Sequence, residues 1–299
     1  MPKPPQFEGG GLSEREGPGR FKTTAEKRTD EALVRVSETL EGASVTEEEA
    51  REIFGDTFFG SNEVEEAFGP LVLSIPIPFT RQELLDAKGQ GATLLLQIAS
   101  HDIGPRVDVG DSALVPLTLG ELKRYSGRKG GENMWQPKST LGAFAGIETP
   151  REGWKLIYPN FIAAKMNMLQ QIEELSIEVP YYFFSSDEKP LPPEIAEAQK
   201  QDKWPGLDQL SDEVLAEELE GLKATKVFME PAVEILYHAV LLGKVRGDAL
   251  SSDHVRLRTN TRNGDSFLEV CSDRHGLYIE KSRPSVGSDS LYVRVTRMG

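Results

Sequence analysis

Hydrophobic positions are spaced at helical intervals over most of the chain and at strand intervals toward its C-terminal end. Between Thr24 and Gly42, Ala32, Leu33, Val36 and Leu40 recur three and four residues apart, which places them on one helix face. Thr46 with Glu49, Thr80 with Glu83 and Thr118 with Glu121 each place a hydroxyl three residues ahead of a carboxylate, the capping-box spacing. The short helices they open carry Ala50, Ile53 and Phe54, then Leu84 and Leu85, then Leu119, Leu122 and Tyr125 as inner stripes. Ser61 or Asn62 caps another helix, with Val64, Ala67 and Phe68 inward and Gly69 as its stop. Residues 71–79 are β-rich, but Pro76 and Pro78 lack ladder donors and confine them to an edge or an extended connection. Residues 92–99 read as a buried strand and residues 154–158 as a short one.

Asn160 then caps a long helix striped by Phe161, Ile162, Met166, Leu169, Ile172 and Leu175. An apolar and aromatic segment at 179–184 precedes a hinge-like stretch through Pro190, Pro192 and Pro193. One further helix is capped by Ser211, with Val214, Leu215, Leu219 and Leu222 inside. Another starts beside Pro231, carries Val233, Leu236, Val240 and Leu241, and ends at Gly243. After Gly247 come short β runs at 255–259, 267–270, 277–280 and 291–296, and Asn263-Gly264 is a strong hairpin signal. The expected fold is α+β: a disordered tail at 1–24, a mainly helical mixed body at 25–247, and a small antiparallel β-sheet module at 248–299.

Composition narrows the function. The chain has 299 residues and a net charge of −14, which disfavours wide contact with nucleic acid or anionic lipid. The charge is uneven, because residues 252–299 hold eight bases and six acids, a net of +2, and leave −16 on the remainder. Apolar runs such as residues 94–99 are far shorter than a membrane span, and the first 30 residues lack the apolar stretch of a secretory signal, so a cytoplasmic location is expected. The one cysteine, Cys271, excludes an internal disulfide and a Cys-rich zinc site.

Chemistry-bearing groups are scattered. Residues 126–153 are punctuated by glycine and proline, and Gly127-Arg128-Lys129-Gly130-Gly131 lacks the Gly-Lys-Ser/Thr ending of a phosphate loop; it reads as an exposed loop whose Arg124, Arg128 and Lys129 could meet an acidic partner. His101, Asp102, Asp108 and Asp111 put one imidazole and three carboxylates within 11 residues, at a spacing that fits no calcium loop and reads as a solvated acidic loop. Cys271, Asp273 and His275 alternate and would share a sheet face, but nothing supplies an oxyanion hole, so Cys271 reads as a small core residue. His238, on an apolar helix, and His254 are given no role. Tyr181, Tyr182, Phe183 and Phe184 form either a ligand platform or, by strand alternation, part of the core.

Two stretches carry a resemblance. Pro116-Leu117-Thr118, Gly153-Trp154-Lys155-Leu156, the helix from Asn160, the run from Pro231 to Tyr237 and the β-rich end together resemble a group of uncharacterised proteins of candidate-phylum (Patescibacteria) bacteria. That resemblance implies no activity, ligand or catalytic residue. The tail, with Arg258-Thr259-Asn260-Thr261, Phe267-Leu268-Glu269-Val270 and residues 292–297, is similar to the closing strands of C-type-lectin-like and formylglycine-generating-enzyme-like folds, although it lacks the paired cysteines of the first and the active cysteines of the second.

The expected function is therefore a non-catalytic protein- or ligand-binding protein with no cofactor, metal ligand or catalytic residue assigned. Its binding residues are Arg256, Arg258, Arg262, Arg294, Arg297, Tyr278 and Tyr292, facing an acidic partner or the acidic body of the chain itself. Two alternatives stay open. One is an enzyme without a familiar motif, working through His101, Asp102, Asp108 and Asp111 or through Cys271 and His275. The other is a glycan- or surface-recognition protein acting through the C-terminal β module.

Overall fold

The computed structural model describes residues 45–71, 74–105, 112–122, 125, 148–162, 165–183, 193, 196, 207–248, 255–273 and 276–299. The tail expected at 1–24, the helix expected around residues 32–40 and the glycine-punctuated loop at 126–147 lie outside the described residues.

Helix α1 (Glu47–Phe54) begins as its capping box dictates. The Thr46 hydroxyl accepts the Glu49 amide, and the Glu49 carboxylate accepts the Thr46 amide at 2.9 Å. A two-residue strand, β1 (Phe58–Phe59), leads into α2 (Ser61–Phe68). Its cap is Gly60 rather than Ser61 or Asn62, and the position admits no side chain, since a Cβ there would lie 2.5 Å from the Phe58 ring. The Gly60 amide instead donates to Glu63 at 2.9 Å, while the Ser61 amide and hydroxyl donate to the Glu47 carboxylate, tying α2 to α1. Helix α3 (Arg81–Gly89) opens at the expected box of Thr80 and Glu83. The described residues of the proline-rich segment before it form neither helix nor strand. The apolar run that follows is strand β2 (Thr93–Gln97), buried along most of its length. Strands β3 (Ser100–Pro105) and β4 (Ser112–Pro116) pair as a separate two-stranded sheet, and α4 (Leu119–Leu122) follows with the Thr118 hydroxyl accepting the Glu121 amide.

The region around Asn160 differs from the sequence reading. Strand β5 (Gly153–Ile162) runs through Pro159 and Asn160 and includes Phe161 and Ile162, which pair with residues of the last strand. A register shift between Ile157 and Phe161 accommodates the proline, which has no amide hydrogen to donate. The long helix, α5 (Met168–Phe183), starts later. Asn167 caps it: its side-chain oxygen accepts the Gln170 amide at 2.9 Å, and the Gln170 side chain accepts the Asn167 amide at 3.1 Å. The segment expected as an aromatic strand at 179–184 is the end of this helix, as far as residue 183.

Helices α6 (Asp212–Gly221), α7 (Lys223–Phe228) and α8 (Ala232–Val245) follow. In α6, Leu215 and Leu219 point inward as expected, but Val214 is exposed. Helix α8 is buried on almost every side from Ala232 to Leu241, so it is a core helix rather than an amphipathic surface one. The chain closes with β6 (Val255–Asn263), β7 (Ser266–Asp273), β8 (Gly276–Ser282) and β9 (Leu291–Met298). The Asn263-Gly264 hairpin joins β6 to β7, with Gly264 at φ 69°.

The α+β class stands, whereas the small antiparallel C-terminal sheet is corrected. The C-terminal strands belong to one seven-stranded sheet of order β1-β2-β5-β9-β6-β7-β8. It is mixed, because β1 runs parallel to β2 and β9 runs parallel to β6, while the other neighbours are antiparallel. The last strand is the join: β9 pairs with β5 on one side and β6 on the other. Trp154, fully buried, packs its ring beside Phe58 and donates its indole N–H to the Ile75 carbonyl at 2.7 Å. No helix among the described residues is long and apolar enough to cross a membrane.

Candidate functional site

Glu234 and His238 stand one turn apart on one face of α8, and Glu230 lies just ahead of the helix, before its N-cap Pro231. All three are buried, and they meet two buried cations from the sheet, Lys155 of β5 and Arg294 of β9. The Lys155 ammonium donates to Glu230 and, at 2.5 Å, to Glu234. Arg294 grips Glu230 in a bidentate pair, Nε to Oε2 at 2.6 Å and Nη2 to Oε1 at 2.9 Å, and its Nη1 reaches His238 Nδ1 at 2.7 Å. Arg151 closes the outer side, donating from Nε to Glu234 at 2.7 Å and from Nη2 at 3.1 Å with its side chain half-exposed.

Isolated, any of these ions would cost several kcal/mol to bury; together the carboxylates and cations compensate one another. Burial alone would raise the carboxyls. The charges and hydrogen bonds of Arg294 and Lys155 overcome it and bring Glu230 down to about 2, and Lys155 and Arg151 bring Glu234 below its ordinary value. His238 is pushed well below its usual range, first by burial and then by the positive charges of Arg294, Lys155 and Arg246. The neutral ring accepts through Nδ1, which leaves its proton on Nε2, an atom with no partner among the described residues.

A pocket of about 300 Å³ lies over the N-terminal end of α8, lined by Glu148, Arg151, Glu220, Thr225, Lys226, Pro231 and Asn260. Arg151 is shared by the pocket and the buried cluster. Glu148 sits on the pocket wall and accepts a hydrogen bond from the Thr261 hydroxyl at 2.7 Å; that hydroxyl in turn accepts the first α8 amide, Ala232, at 2.9 Å. Burial, with the nearby charge of Glu234, raises the Glu148 carboxyl above its ordinary value despite the Thr261 bond. Asn260 is pinned by its amide to the Glu230 carbonyl and by Nδ2 to the Met229 carbonyl. Thr225, only 1% exposed, carries a hydroxyl oxygen with no hydrogen-bond partner among the described residues. Glu220 is paired with Arg262 at 2.8 Å. A wider depression of about 540 Å³ beside Arg51, Phe58, Glu63 and Arg246 has its strongest cations already engaged, Arg51 by Glu63 and Arg246 over the Phe59 ring.

The expected binding residues do not gather on one surface. Arg256 pairs with Glu269 at 2.6 Å, Arg262 with Glu220, and Arg297 with Glu83 at 2.6 Å. Arg258 is buried and donates to the carbonyls of Arg283 and Val286, and Arg294 is buried in the cluster, so no partner reaches either guanidinium. Tyr278 and Tyr292 are half-buried.

His101 is buried on β3, with the Tyr125 hydroxyl 2.9 Å from Nδ1 and Glu121 3.5 Å from Nε2; Asp102 is its neighbour on the strand, and Asp108 and Asp111 lie outside the described residues. Cys271 is buried, and burial together with the Glu269 charge pushes its thiol up to about 12, away from the reactive thiolate; His275 lies outside the described residues. Among the described residues no three His, Cys, Asp or Glu side chains are grouped to hold a metal ion. Sequence reasoning passed over Glu230, Glu234, Lys155 and Glu148. The signal for the first two was three polar residues, Glu230, Glu234 and His238, at intervals of four in the otherwise apolar run 229–242. Compared with family models, curated proteins and solved structures, the chain matches none.

Proposed function

We propose that the chain is a non-catalytic binding protein and that its ligand site is the pocket over the N-terminal end of α8. The observation that carries this reading is Glu148: a half-buried carboxyl on a pocket wall, held by a hydroxyl and paired with no cation among the described residues. Thr225, with its unpartnered hydroxyl in the same wall, is a second group whose hydrogen-bonding capacity is unused. Small-molecule sites combine a concave shape with a few fixed polar groups, and the cluster behind Arg151 supplies the rigidity. A carboxyl of raised pKa would also suit a general acid, but the other acid in the wall, Glu220, is engaged by Arg262.

Ligand-observed NMR with a mixture of small polar compounds tests the reading. Saturation transfer is expected with the wild-type chain and is lost in Glu220→Trp, which places an indole across the pocket from an exposed position, with an unchanged circular dichroism spectrum. Equal transfer in both proteins, or none in either, removes the pocket as the ligand site.

A further inference from the structure

We infer that this pocket takes a small zwitterion, with Glu148 receiving its ammonium end and Lys226 its anionic end. The inference rests on the pocket being the ligand site and adds the chemistry of the ligand. Charges in the wall divide into those already answered and those that are not. Arg151 is spent on Glu234 through two of its nitrogens, and Glu220 on Arg262. Among the described residues Glu148 accepts only a neutral hydroxyl, and the exposed Lys226, of opposite charge, forms no ion pair. A ligand bearing only an anion would face both Glu148 and the field of Glu234 behind it. A neutral ligand would leave Glu148 desolvated and uncompensated. A ligand bearing only a cation satisfies Glu148 and leaves Lys226 unanswered; a zwitterion satisfies both. The Thr225 hydroxyl and the Asn260 side chain add neutral polar groups to the same wall.

In the empty pocket a proton is the competing cation at Glu148. The charged groups around that carboxyl are Glu234 from α8, Arg151 ahead of β5, Glu220 from α6 and Lys226 from α7, with the neutral Thr261 from β6 bonded to it. Seating an ammonium there expels the proton, so binding releases protons near the Glu148 titration and weakens as pH falls through it.

The test uses a chain-matched trio, 4-aminobutyrate, n-butylamine and butyrate, with glycine and 6-aminohexanoate to vary the span, titrated by calorimetry into the full chain. At least one amino acid of the series is expected to bind roughly tenfold more tightly than the matched amine, with butyrate silent, since each charged contact is worth about that factor. Glu148→Gln loses the amino acid and the amine alike. Lys226→Met reduces the amino acid to the affinity of the amine and leaves the amine unchanged. Butyrate binding as well as 4-aminobutyrate, or an affinity indifferent to Glu148→Gln, overturns the inference. If none of the series binds while other polar compounds still distinguish wild type from Glu220→Trp, the zwitterion is wrong and the pocket stands. If nothing distinguishes those two proteins, the pocket itself is wrong.

Discussion

Lys155 makes the residue-scale case most sharply. It is fully buried, and its ammonium lies between two carboxylates that are themselves buried. Truncating it to methionine keeps most of the apolar stem and leaves Glu230 and Glu234 short of one positive charge. Lys155→Met is expected to lower unfolding free energy by roughly 3–5 kcal/mol in urea titration, and adding Glu234→Leu to recover part of the loss by restoring the balance. The acids of the site also set how stability follows pH. Glu230 titrates at about 2 in the folded chain, below its ordinary value, so the unfolded state binds the proton more readily between the two. Its contribution is complete above about pH 5 and is lost as pH falls toward 2. Glu148 has the opposite sign: its raised carboxyl favours the folded chain below the ordinary carboxylate range, and that advantage disappears as pH rises through the folded value. Glu148→Gln is therefore expected to raise the melting temperature at pH 7 and leave it unchanged at pH 3. An equal shift at both pH values would show that packing, not ionisation, is what the substitution alters.

At the scale of elements, short-range chemistry and long-range pairing decided different things. Thr46, Thr80 and Thr118 each cap a helix where their spacing to glutamate predicts, because a capping box closes within four residues and needs no tertiary partner. The same logic applies at Asn167 and Gln170, a box that lay in the sequence but was obscured by the equally plausible start at Asn160. Asn167→Ala is expected to cost about 1 kcal/mol, read as an earlier urea midpoint with unchanged slope. Asn160→Ala leaves the α5 cap intact and gives no comparable loss of helix signal. Phe161 and Ile162 were misplaced because the spacing of two apolar residues fits a helix start and a strand end equally well. What decides it is the β9 backbone at Val293 and Arg294, which no local pattern reveals.

For the molecule as a whole, β9 is the organising element. It lies inside the sheet, between β5 and β6, and also delivers Arg294 to the cluster under α8. Removing residues 252–299 would therefore take away β6 to β9, expose the edge of β5 and strip Glu230 of Arg294, leaving it only Lys155. The truncated chain is expected to lose near-ultraviolet dichroism, bind a hydrophobic dye and unfold without a sharp transition. A cooperative transition in that truncation would mean that the remaining strands hold a core of their own. The same topology explains why three arginines of the C-terminal strands answer acids from elsewhere in the chain: Arg262 meets Glu220, Arg294 meets Glu230 and Arg297 meets Glu83.

The order of residues by itself determined the α+β class, the helix caps at Thr46, Thr80 and Thr118, the Asn263-Gly264 hairpin and the apolar stretches that form the core, because each follows from interactions within a few residues or from hydrophobic period. Tertiary structure alone decided that the C-terminal strands extend one seven-stranded mixed sheet, and that Lys155, Glu230, Glu234 and Arg294 converge while Glu148 pairs with no cation among the described residues. Those residues are up to about 140 positions apart, and a charge in a sequence looks the same whether water or a buried counter-ion awaits it. Only closing the sheet around β9 removes the water and makes the difference.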